Sequence, residues 1–203
     1  MVKIISPKFF ELENKKLDLN EDKISGIFDN EIINNVKNIE FDECIFNNLN
    51  MSDLKLNKAS ILDTNINSSN LSNTSFNDSA IHRVIFNECN LVGIDFSGSS
   101  LSNIEFKNCK MTYSNFSFAK LKNVRFINSE LEKSSFNETS FKDIEFDECN
   151  LNESEFIDTN LKNLDLSSSK IEGIVVNPNN VKGLTVNMYQ AVDLALLLGI
   201  KIK

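Results

Sequence analysis

The chain is built on a period of five, and that period constrains its fold more than any other feature. From Phe41 to Val186 every fifth residue is apolar, thirty positions in one unbroken phase. With 41% of the chain apolar, one chosen phase does this by chance with a probability on the order of 10⁻¹². Two residues before each large apolar residue lies a second restricted position. Eighteen of these thirty are Ala, Cys, Ser or Thr, eleven are Ile, Leu or Val, and Asn179 alone is strongly polar. The other three positions of each five are mostly Asn, Asp, Glu, Lys and Ser. Two residues in five therefore point inward and three outward. Neither the helical period of 3.6 nor the strand period of 2 produces this, so the chain must turn once per unit and the units must stack on one another.

Units such as Asn-Leu-Ser-Asn-Thr followed by Ser-Phe-Asn-Asp-Ser, running over roughly residues 39 to 188, resemble the pentapeptide-repeat family. Its loose consensus is Ala, then Asp or Asn, then Leu, then two variable residues; here Ser, Thr or Cys mostly replaces Ala. The resemblance implies an all-β chain folded as a right-handed quadrilateral β-helix, with four units per coil of 20 residues and about 7.5 coils from thirty units. Read in twenties, Phe86, Phe106, Phe126 and Phe146 fall on one inner edge, and Phe76, Phe96, Phe116, Phe136 and Phe156 on another. Stacked rings account for the 16 Phe. A coil cannot stand alone, because burying four large side chains yields about 6–12 kcal/mol and ordering twenty backbones costs about 20–40 kcal/mol.

An open coil end exposes unpaired backbone, so both ends need covers. Residues 1–38 break the phase at Glu21, Gly26, Glu31 and Val36. They are expected to form an N-terminal capping segment of short strands or a partial coil, with Ile24, Ile27, Phe28 and Ile32 facing the first coil. The β-helix is assigned to 39–187 and a C-terminal helix and tail to 188–203. Asn187 and Gln190 can form a capping box, and Gly199 suits a left-handed stop. Apolar residues cover nearly the whole circumference of that helix, which predicts burial on more than one side. Met188, Val192, Leu194, Leu196, Leu197 and Leu198 are the candidate dimer interface. The stretch Gly183-Leu-Thr-Val-Asn-Met-Tyr-Gln-Ala, followed by Leu198-Gly-Ile, is similar to the end of the bacterial quinolone-resistance pentapeptide proteins. That similarity implies a tail-to-tail homodimer.

Other chemistries find little support. Cys44, Cys89, Cys109 and Cys149 form no CxxC pair, and His82 is the one histidine, so no metal site is expected. Three of these cysteines share an inner column and read as small core filler. A filled core with no Gly-rich loop and no serine elbow argues against catalysis and against a cofactor. The net charge of −8 argues against direct nucleic-acid binding. No apolar run approaches the ~20 residues that span a bilayer, and a cytoplasmic location is expected.

The outer surface is therefore where function is expected. Residues 141–160 carry Asp143, Glu145, Asp147, Glu148, Glu153, Glu155 and Asp158 against Lys142, a net of 1 − 7 = −6, while every other coil between 41 and 180 lies between −2 and +2. This acidic belt, with the outward aromatics Tyr113 and Phe118, is the candidate partner-binding surface. Lys122, Lys142, Lys162 and Lys182, spaced by 20, should form an outward cationic column. The composite expectation is a non-enzymatic scaffold that binds a protein partner. The alternative, implied by the resemblance, is a DNA-mimicking binder of a type II topoisomerase such as DNA gyrase that confers protection or quinolone resistance.

Overall fold

The computed structural model describes residues 1–18, 22–33, 40–197 and 199–201. They form a parallel-strand solenoid of about seven turns with a short helix at its C-terminal end. Seven strands, β1 (Lys23–Asp29), β2 (Glu40–Asn47), β3 (Ser60–Asn67), β4 (Ala80–Asn87), β5 (Ser100–Lys107), β6 (Lys120–Ile127) and β7 (Ser140–Asp147), stack in chain order as one parallel sheet. From β2 onward each residue pairs with the residue twenty positions later, as in Phe86 with Phe106 and Phe126 with Phe146. Bridges at Asn50, Asn70, Asn90, Lys110, Glu130 and Asn150, and at Lys55, Ser75, Asp95, Asn115 and Ser135, hold the remaining sides. A last short pair, β8 (Glu155–Phe156) and β9 (Val175–Val176), continues one side.

From β2 to β8 the turn in each unit falls two residues after the large apolar residue. At these positions φ is positive, as at Asn73, Asp78, Asn103, Asn108 and Asn128. Asn and Asp tolerate this left-handed conformation because their short side chains hydrogen-bond locally, which explains much of the Asn and Asp in the chain. Four such corners per coil make four edges along the rod. The first carries Glu43, Asp63, Arg83, Asn103, Asn123 and Asp143; the second, Asn48 to Glu148; the third, Asp53, Asn73, Gly93, Tyr113, Lys133 and Glu153; the fourth, Lys58, Asp78, Gly98, Phe118, Glu138 and Asp158.

Inside, the two Phe columns stack with ring centroids 4.7–5.5 Å apart along each column, nearly parallel, and meet edge-on between columns. Each such pair adds about 0.5–1.5 kcal/mol beyond its buried area. The small inner residues do more than fill space. Ser79, Ser99, Ser134, Thr139 and Ser154 donate to the carbonyls of Leu56, Phe76, Met111, Phe116 and Leu131 in the preceding coil at 2.6–3.1 Å. Cys89 and Cys109 do the same with their thiols. A hydroxyl or thiol satisfies a buried carbonyl that Ala cannot reach, which is why Ser, Thr and Cys outnumber Ala here.

The segment 1–38, expected as a cap, does two different things. Residues 22–33 already join the stack, at an offset of two residues fewer than the later coils: Phe28 pairs with Phe46, and Ile33 donates to the Asn50 carbonyl at 2.9 Å. Ile24, Phe28 and Ile33 are buried, whereas Ile32 is 69% exposed. Ile32 therefore does not face the first coil, because the shortened turn moves Ile33 into the inward position. Residues 2–10 run outside the stack, along its first edge, while Glu13–Lys15 pair with Ile27 of β1 and Leu17 packs on the core, so this part does cover the first coil. Glu21, Val36 and Leu198 lie outside the described residues.

At the other end, α1 (Met188–Leu197) is capped as its residues predict. Asn187 Oδ1 accepts from the N–H groups of Tyr189 and Gln190, and Gln190 Oε1 accepts from Asn187 N–H at 2.8 Å. Gly199 has φ 74°, and bonds from Gly199 to Leu196 and from Ile200 to Ala195 close the helix in a Schellman motif. The buried Gln190 amide donates to the carbonyls of Leu166 and Ser169, and Leu194 packs on the core, so this side of the helix covers the last coil.

Candidate functional site: the outer walls

The structure redistributes the acidic residues of 141–160. Asp143, Glu148, Glu153 and Asp158 are the four corners of one coil, with φ between 51° and 57°. Their side chains leave the rod along four different edges, so the belt is a ring and not a patch. Glu145 is already engaged: Arg125 lies between Glu105 at 3.0 Å and Glu145 at 3.3 Å, and the Val2 N–H donates to Glu145 Oε2 at 2.6 Å. Asp147 is half-buried on the same wall as Glu145. Asn137 donates to Glu155 at 2.8 Å and Asn177 to Asp158 at 3.1 Å, while Glu153 lies 3.8 Å from Lys133. These last partners are on the surface and leave the carboxylates open to water.

One wall does collect several of the candidates. Tyr113 and Phe118 occupy two neighbouring corners of one coil, 59% and 60% exposed, each with φ 62°. Aromatic side chains in the left-handed region are strained outliers for their type, and such outliers concentrate at functional positions. Beneath them on the same edges lie Gly93 and Gly98; two coils above them lie Glu153 and Asp158, with Glu155 between. Lys133 sits 5.9 Å from the Tyr113 ring centroid. Tyr113, Phe118, Glu153, Glu155 and Asp158 thus share one wall, and Asp143, Glu145, Asp147 and Glu148 belong to others. This open wall does not border the first edge, along which residues 2–10 run.

The remaining candidates are placed as follows. Lys122, Lys142, Lys162 and Lys182 are all exposed, and Lys122 pairs in register with Lys142. His82 is half-buried and hydrogen-bonded to Ser102. Burial and the adjacent Arg83 push its pKa down. All four cysteines are buried and free, and burial pushes the Cys44 and Cys149 thiols up to about 12, which suppresses thiolate chemistry. Among the described residues no cluster of His, Cys, Asp and Glu could hold a metal, and no helix is long and apolar enough to cross a membrane. Met188, Tyr189, Val192, Leu196, Leu197 and Ile200 are exposed at the end of the rod.

A stack of twenty-residue parallel coils with a small-residue column, a large apolar column and a polar outer wall defines a β-solenoid. The chain belongs to the pentapeptide-repeat family: the family model described as the pentapeptide repeat region matches residues 35–116, 67–136, 99–176 and 119–193. Solved structures with similarity include QnrB1, a plasmid-mediated fluoroquinolone resistance protein, 18% identical over 88% of this chain and 100% of that one with a TM-score of 0.37. A pentapeptide-repeat protein of the Arabidopsis thaliana thylakoid lumen is 20% identical over 50% and 63% of the two chains, TM-score 0.39. HetL of Nostoc sp. strain PCC 7120, involved in heterocyst differentiation regulation, is 10% identical over 80% and 86%, TM-score 0.29. No curated protein sequence matches the chain.

Proposed function

We propose that the protein is a non-enzymatic scaffold that binds a protein partner through the wall edged by Tyr113, Phe118, Glu153 and Asp158. The observation that carries this reading is the pair of exposed aromatic corners, held in a conformation that Asn or Gly would adopt with less strain. Aromatic anchors contribute most of the energy at protein interfaces, and nearby carboxylates set encounter rate and salt dependence. A second copy covers the exposed apolar side of α1, in a tail-to-tail dimer that brings two such walls near the interface. Light scattering on the intact chain at micromolar concentration tests that arrangement, and a monomer contradicts it.

The second reading is a topoisomerase partner, favoured by the ring of four corner carboxylates, which presents negative charge on every side as a duplex does. Its weight is limited by charge: residues 41–186 carry 20 acids and 13 bases, a net of −7, where a duplex of ~36 Å carries about 21 negative charges. A gyrase supercoiling assay with and without a fluoroquinolone separates the readings. Protection that is lost in the variant Tyr113→Asn, Phe118→Asn, Glu153→Gln, Asp158→Asn identifies both partner and wall. If the intact chain leaves gyrase unaffected, the topoisomerase reading falls. A partner that binds this variant as tightly as the intact chain removes the wall from the account.

A further inference from the structure

Residues 2–10 lie along the first edge in an extended run that crosses the coils. Val2 N–H donates to Glu145 Oε2 at 2.6 Å, Ile5 N–H to Asn103 Oδ1 at 3.2 Å, Lys8 N–H to Asp63 Oδ1 at 2.9 Å and Phe10 N–H to Glu43 Oε2 at 3.2 Å. As the arm advances from residue 2 to residue 10, its acceptors step back five coils. Five coils at about 4.8 Å make about 24 Å, and eight extended residues at about 3.3 Å make about 26 Å. The spacing of the acceptors therefore matches the reach of an extended chain. Each of the four bonds starts from an arm main-chain N–H and ends on a rod side chain. Main-chain recognition of this kind tolerates many sequences, with selectivity left to the side chains that turn inward. In the arm these are Val2, Ile4, Pro7 and Phe9, which are half-buried, while Lys3, Ile5, Lys8 and Phe10 are exposed.

The edge is built to receive such a segment. Asp63 and Asn103 are outward corner residues, yet they are 6% and 5% exposed because the arm covers them. Asn65 Oδ1, two residues from Asp63 in β3, is buried with no hydrogen-bond partner and offers a further acceptor. Beyond Val2 the groove runs on past Asp143, Glu145, Asp147, Asn163 and Asp165, where a cavity of about 990 Å³ opens beside Met1 and Lys3. Carboxylates predominate along it, with Arg83 and Arg125 already paired to Asp63 and to Glu105 and Glu145. Residues 1–10 carry Lys3 and Lys8 and no acid, so the charges of arm and groove are complementary.

We propose that the first edge is a docking groove for an extended, basic segment of a partner protein with apolar residues in pairs two apart, as Val2 and Ile4 are in the arm, and that the arm occupies this groove in cis until such a segment displaces it. The arm is held by four hydrogen bonds to rod side chains and by half-buried side chains, with none of the fully buried contacts of the coils, which places it at the low-stability end of the structure. Its tether gives it an effective concentration of order millimolar, so a partner segment must outcompete a standing occupant. The groove is distinct from the wall that carries Tyr113 and Phe118, and the experiment below needs no partner for that wall, so failure of either reading leaves the other standing.

The test uses a fluorescein-labelled peptide copying residues 1–10, titrated against the full chain and against a full chain weakened in its own arm by Ile4→Asp and Phe9→Asp. The expected result is at least tenfold tighter binding to the weakened chain, reversed when Glu43→Gly and Asn103→Gly remove two acceptors. A folded, weakened chain that does not bind the peptide, or equal binding to both chains, overturns the proposal. If the weakened chain does not fold, hydrogen exchange on the intact chain decides. Excess unlabelled peptide should accelerate exchange at Val2, Ile5, Lys8 and Phe10 and leave the coils unchanged, and no acceleration refutes displacement. Dimers of the intact chain that dissociate in excess peptide would show that the occupant is a second copy's arm, and the partner-protein assignment would fall.

Discussion

The first and third edges of the rod are made by the same repeat position with the same backbone conformation, yet they meet different surroundings. On the first, Asp63 has φ 45° and lies beneath the arm; on the third, Tyr113 has φ 62° and stands in solvent. The coil itself asks of a corner residue only that it tolerate a left-handed φ. Everything else at that position is free to serve an additional contact. The corners are therefore where such a rod can vary its outer contacts, while the two inward positions of each unit are committed to the stack.

The largest effect that sharpens this contrast is inside. Phe106→Ala or Phe126→Ala should destabilise the rod by about 3–5 kcal/mol. Asn108→Ala, at an exposed corner, should cost about 1 kcal/mol, the penalty of a Cβ-bearing residue other than Asn in the left-handed region, and Asn108→Gly less. Urea titrations measure all three, and equal losses at Phe106 and Asn108 would break the division between inner and corner positions.

The next comparison sets two corners of one residue type against each other. Asp63→Ala leaves Arg83 and the Lys8 N–H without their acceptor and should cost about 2 kcal/mol. Asp78→Ala, on the open fourth edge, should cost about 1 kcal/mol. Acid sharpens the same contrast. Burial alone would raise the Asp63 carboxyl, but hydrogen bonds from Arg83 and from the Lys8 main chain hold it below the ordinary carboxylate range. A group depressed in the folded state stabilises fully above its unfolded value, about 3.9, and ceases to do so as pH falls through its folded value. The stability difference between the intact chain and Asp63→Asn should therefore be full at pH 6 and shrink below about pH 4. A difference independent of pH would mean that the carboxylate charge plays no part in holding the arm.

The smallest expected effect has the opposite sign. Tyr113→Asn and Phe118→Asn should each stabilise the rod by about 0.5 kcal/mol, because Asn relieves the left-handed strain. A loss of stability in both would make these aromatics structural and weaken the case for a contact wall.

The stack, the Phe columns and the helix with its capping box were legible because they rest on strict periods and local caps. The hydroxyl bonds of Ser79 or Ser99 to the preceding coil were hidden, since composition distinguishes small from large but not which carbonyl needs a donor. The first strand shows in the sequence only as a break in the phase, because its offset of 18 residues puts Phe28 and Ile33 in line in place of Gly26 and Glu31. The arm was invisible for a more general reason. Val2, Ile4 and Phe9 do not follow the five-residue period, and the acceptors of the four arm bonds from Val2, Ile5, Lys8 and Phe10, namely Glu145, Asn103, Asp63 and Glu43, lie 33 to 143 residues away. A charge count also could not show that the acids of 141–160 form a ring, because that follows only once every fifth residue is known to be a corner.

The most direct test of the contrast between a covered and an open edge is the reactivity of a thiol placed at each. The native cysteines are buried and give a slow background to alkylation. A maleimide should label Tyr113→Cys at the rate of an exposed thiol and Asn103→Cys at least tenfold more slowly, since the arm must open first. In both cases the backbone strain is the same, so it cancels in the ratio. Equal labelling rates at the two corners would contradict the account.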